Sequence, residues 1–172
     1  MERTPDLRGR WTGHYHQHSR PHPISLDLDQ DGENLSGSMT DGDTDRDLSV
    51  FEATAEAGMP PGEDERLVAR LTELFPDAEA DSIRYVSHLP PRSSVEGRVR
   101  GSTISFIKRY EGTHFGGYRV GEHLVVHVDE GHTVHYQGRL SPNGRELEGR
   151  WWIESDPSSG RPRNEGTFEL RR

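Results

Sequence analysis

Apolar and polar residues alternate along most of this chain in short runs separated by turn signals, and a period of two marks strands with one buried face. In GRWTGHYHQH (residues 9–18), Gly9, Trp11, Gly13, Tyr15 and Gln17 share one face, and Thr12, His14, His16 and His18 share the other. Pro21 and Pro23 are expected to stop this strand. ISLDLDQ then sets Ile24, Leu26 and Leu28 opposite Ser25, Asp27 and Asp29, and a DGEN turn leads into LSGSMTD, where Leu35, Gly37 and Met39 continue the apolar face. Further on, Val95, Gly97 and Val99 alternate with charged residues; Ile104, Phe106, Lys108 and Tyr110 share a face; so do His132, Val134, Tyr136, Gly138 and Leu140. The NG of SPNGR is the clearest hairpin signal, and Leu147, Gly149, Trp151 and Ile153 return from it, before Phe168 and Leu170 close the series. The expected fold is all-β: one domain over residues 1–172, an antiparallel up-and-down barrel of about eight strands.

Two stretches interrupt the alternation. Residues 42–93 open acidic, end on Pro90 and Pro91, and carry DERLVARLTELF, whose Leu67, Val68, Leu71, Leu74 and Phe75 recur at helical spacing before Pro76. DSIRYVSHL is read as a further helical turn or two. Residues 111–131 form a Gly-rich loop with a hairpin through HLVVHV. Sequential antiparallel order puts the short DGEN, Gly101 and SPNG turns on the rim that holds Trp11, and both insertions on the other. Trp11, Leu35, Val99, Ile104, Phe106, Leu140, Leu147, Phe168 and Leu170 then plug the base. The upper half collects Tyr15, Gln17, Asp41, Lys108, Tyr110, His132 and Tyr136 against an apolar wall of Trp151 and Ile153. Polar groups converging on an apolar concavity are what a small-molecule site requires.

Gly9 and Trp11 on the first strand of such a meander, with Arg171 and Arg172 ending the last, resemble the calycin group of lipocalins, fatty-acid-binding proteins and avidins. The resemblance implies a Trp at the closed base, covered by a basic side chain from near the last strand. Haem-binding members similar to nitrobindin use a His near the last strands; no His follows His135 here, so the resemblance places no such ligand.

Composition narrows the chemistry. The net charge is -9, with 30 acidic residues against 21 Lys and Arg, and the basic residues are scattered, so neither nucleic acid nor an anionic membrane is an expected partner. There is no Cys, no apolar run long enough to span a membrane and no signal-peptide pattern, which leads to the expectation of a soluble, cytoplasmic protein. No nucleophile elbow, phosphate-cradling loop or zinc signature is present, so no cofactor, metal or catalytic residue is assigned. His14, His16 and His18 are read as a solvated face, and Trp152 as an outward side chain covered by an insertion.

These residues favour a non-enzymatic binding barrel for a small, partly apolar ligand with a polar or anionic head. Its candidate binding residues are Tyr15, Gln17, Asp41, Lys108, Tyr110, His132, Tyr136 and Trp151. Beside it stands an Asp41–Lys108 structural network. Two other functions remain open: a cyclase, isomerase or hydrolase using His132 or Tyr110 as general acid or base, with Lys108 stabilising negative charge, and a packed barrel that meets a protein partner through its acidic helical insertion or Trp152.

Overall fold

The computed structural model describes residues 4–17, 19–130, 133–158 and 163–172. Eight strands close into an antiparallel barrel: β1 (Gly9–Gln17), β2 (Arg20–Asp31), β3 (Asn34–Asp41), β6 (Arg92–Arg100), β7 (Thr103–Tyr110), β10 (Thr133–Leu140), β11 (Glu146–Ile153) and β12 (Asn164–Arg171). Their order around the barrel follows the chain, and β1 pairs with both β2 and β12 to close it. Closure leaves no edge strand in this sheet.

The alternation sorts inward from outward residues as the pattern requires. Trp11 is fully buried and donates its indole N–H to the Leu7 carbonyl at 2.9 Å, while the Arg172 guanidinium lies over its ring at 4.7 Å. This is the base-and-basic-cover geometry that the calycin resemblance implies. Above it, Phe106 stacks on Tyr136 at 4.7 Å, and Phe168 meets both rings edge-on. Room for these aromatics comes from inward glycines: a Cβ on Gly138 would stand 2.9 Å from Phe168, and one on Gly166 would stand 2.6 Å from the Trp151 indole nitrogen.

Pro21 and Pro23 do not stop a strand; they lie within β2, opposite His16 and His14 of β1. The Pro23 carbonyl accepts from the Gly42 N–H, on the side where pairing with β3 has ended at Ile24↔Asp41. The missing proline donors therefore fall outside the ladder.

Residues 44–89 and 113–130 form a second compact unit. It contains β4 (Asp45–Ser49), α1 (Val50–Glu56), α2 (Glu63–Leu74), a short 3-10 turn (Ala80–Ser82), β5 (Arg84–His88), β8 (Thr113–Val120) and β9 (His123–Glu130). The two insertions share one sheet in the order β4-β5-β8-β9. Helix α1 starts on a capping box in which Ser49 accepts from the Glu52 N–H and Glu52 accepts from the Ser49 N–H. Helix α2 is the expected one. DSIRYVSHL is a strand rather than a helical turn beyond Ser82, because Tyr85↔Tyr118 and its neighbours pair β5 with β8. Val50, Leu71, Ile83 and Val120 form this unit's buried cluster, with Leu67, Val68, Phe75 and Tyr118 packed against it.

Candidate functional site

The barrel's polar layer assembles where the alternation places it. Lys108 sits in register between Val95 and Val134 and points inward, where its ammonium donates to both Asp41 carboxylate oxygens at 2.8 and 2.6 Å. Both side chains are about 1% exposed. The ammonium also lies over the Tyr110 ring at 4.4 Å. Burial lowers the Lys108 pKa from its ordinary value, against the opposing pull of Asp41. Burial also raises the Tyr110 and Tyr136 phenols well above theirs, helped by the Asp41 charge, so both remain neutral donors.

Of the other expected members, Trp151 is buried and donates its indole N–H to the His16 carbonyl at 3.0 Å. Tyr15 packs edge-on to Trp151 and is half-buried, as are Gln17, Tyr110 and Ile153. His132 and His18 lie outside the described residues. Two neighbours were not anticipated. His22, 3% exposed, stacks on Tyr15 at 4.8 Å and its Nδ1 lies 3.0 Å from Asp43. Ser93 is fully buried beside Tyr110 in the β6–β7 ladder, with its hydroxyl unpartnered. Both continue inward series, His22 with Ile24 and Leu26, Ser93 with Val95 and Gly97.

On the barrel's outer face, Asp27 pairs with Arg10 at 2.9 Å, and among the described residues no three His, Asp or Glu side chains gather as a metal site would require. Within the barrel, Trp152 has His135 stacked on it at 5.2 Å and the Arg150 and Arg163 guanidinium groups over it at 5.3 and 5.5 Å.

The second unit presents a different kind of surface. An open groove of about 660 Å³ runs between α2 and the sheet, lined by Leu67, Arg70, Leu71, Leu74, Tyr85, His114, Gly116, Gly117, Tyr118, Val125 and Val126. Residues 67, 70, 71 and 74 share one face of α2 by helical periodicity. From the sheet side, Gly116 leaves the floor bare: a Cβ there would approach the Tyr85 hydroxyl at 3.1 Å and otherwise meet little. A shallower concavity of about 540 Å³ adjoins it across Leu67, Arg70 and Tyr118. Leu74 is 68% exposed, and Val125 and Val126 are exposed beside it. An apolar concavity of several hundred Å³ with a few polar groups fits a small-molecule site.

Neither protein-family models, nor curated proteins, nor solved structures give a match to this chain. The antiparallel eight-stranded barrel is consistent with a calycin-like fold at that coarse level.

Proposed function

We propose that this chain is a non-enzymatic binding protein in which a calycin-like barrel serves as packed scaffold and the second unit takes a small, partly apolar ligand. The observation that carries this is the α2–β8 groove, whose apolar walls stand open while the barrel's buried Lys108 and Asp41 are occupied by each other. An inward Lys108 already bound to Asp41 is poorly placed to serve a ligand head, since displacing either partner strands a buried charge. Glycine at position 116 gives the groove its depth.

The test is uptake of a neutral apolar dye such as Nile red. Fluorescence should rise with the native protein, and Gly116→Leu should abolish the rise while leaving the melting temperature of the barrel unchanged. Undiminished uptake by Gly116→Leu contradicts the assignment.

A second reading keeps the ligand at the barrel's upper rim, and one pairing favours it. A carboxylate on Nδ1 of an imidazole, as Asp43 is on His22, orients the ring as a general base. Tyr15, Gln17 and Tyr110, half-buried there, would supply the polar contacts of a cyclase, isomerase or hydrolase. Under this reading His22→Gln, and not Gly116→Leu, removes binding.

A further inference from the structure

We infer that the α2–β8 groove selects a small organic anion, an apolar body carrying one carboxylate-type head that meets Arg70. The inference rests on the groove being the binding site and adds the charge of what it binds.

Charge bookkeeping within the second unit singles this residue out. The unit has five arginines and no lysine. Arg46 pairs with Glu56, Arg66 with Glu63 at 2.7 Å, and Arg84 and Arg119 with Asp47 at 2.9 and 3.5 Å. Of these five, Arg70 alone has no ion pair with a described residue, and it is the one that lines the groove. None of the groove's eleven lining residues is acidic, in a chain where acidic residues number 30 of 172. In the adjoining concavity the acidic lining residue is Glu63, already held by Arg66.

Geometry matches the charge. Arg70 lies one helical turn from both Leu67 and Leu74 on α2, so a head at its guanidinium sets an attached apolar body along Leu71 and Leu74 over the bare floor at Gly116. A guanidinium offers a carboxylate two parallel N–H donors, and because Arg70 is exposed the pair forms in contact with solvent. The net charge of -9 opposes anion approach at long range, but salt screens this beyond about 8 Å, leaving the local cation to decide.

Three probes with a ten-carbon chain separate head from body when titrated calorimetrically below their micelle concentrations: decanoate, decyl maltoside and decyltrimethylammonium. Decanoate should bind tightest. Arg70→Gln should weaken it about fivefold, in keeping with an exposed ion pair of roughly 1 kcal/mol, while leaving decyl maltoside unchanged; Arg70→Lys should restore most of the loss. Equal binding of all three probes, or decanoate binding indifferent to Arg70→Gln, overturns the charge assignment while the groove itself stands. Binding of none of the three, with no dye uptake by the native protein, overturns the groove reading and this inference together.

Discussion

The barrel and the second unit handle apolar surface in opposite ways. Among the described residues, eighteen hydrophobic side chains form one buried barrel cluster, from Leu7 and Trp11 at the base to Trp151 and Tyr136 above. Its buried Asp41 and Lys108 are closed upon each other. The second unit's cluster holds four, and the exposed large hydrophobics, Phe51, Met59, Leu74, Leu124, Val125 and Val126, all belong to it. A densely packed interior gives rigidity, whereas contiguous apolar surface left open is the kind of feature that the proposed binding reading requires. The lean composition is thus distributed unevenly, with a dense core in one unit and a thin one in the other.

The largest effects should come from opening the barrel. Trp11→Ala should cost about 3–5 kcal/mol as a large-to-small change in a packed core, measured by denaturant unfolding. Lys108→Met should cost a similar 3–5 kcal/mol by leaving Asp41 charged and unpaired, and Lys108→Met with Asp41→Leu should recover most of it. If the single substitution is neutral, the polar layer is not a closed structural pair and the contrast between the units fails.

A smaller loss, about 2 kcal/mol, is expected for Leu71→Ala, at the low end for a buried leucine because its neighbour Leu74 is already solvated. A loss as large as that of Trp11→Ala would mean that the second unit is packed as tightly as the barrel. Alkaline pH sharpens the contrast further. Tyr136 is neutral and buried, with a folded-state pKa above the ordinary 10.0. Below pH 10.0 both folded and unfolded chains keep the proton and its contribution is whole; above it the unfolded chain deprotonates first, so stability falls as pH rises. Tyr136→Phe should flatten that decline, as read from melting curves across the alkaline range. The smallest effect is expected at Arg172, whose exposed guanidinium covers Trp11: Arg172→Ala should cost about 0.5–1 kcal/mol.

The barrel was legible because each strand buries one face, and that requirement is written locally. The inward Trp11, Asp41 and Lys108 followed from parity, and the turn at Asn143–Gly144 from its turn residues. Pro21 and Pro23 misled because parity does not say on which side of a strand the ladder continues. The second unit was harder for a physical reason. Its β5 is half-buried along nearly its whole length and shows no alternation, and the sheet exists only because Tyr85 meets Tyr118 across two separate insertions. The spacing of Leu67, Leu71 and Leu74 foretold the helix; the groove beneath it needed Gly116 brought opposite, which no local pattern records. His22 was within reach, had the Ile24–Leu26–Leu28 series been carried back through Pro23.

Mapping where an apolar probe sits decides between the closed barrel and the open α2–β8 groove as the place where a ligand binds. Methyl NMR spectra of the leucine, isoleucine and valine groups, recorded as decanoate or Nile red is added, should move the resonances of Leu67, Leu71, Leu74, Val125 and Val126 and leave Ile24, Val134 and Ile153 in place. Shifts concentrated on Ile24, Val134 and Ile153, with the α2 methyls still, would put the ligand at the barrel's rim and contradict the account.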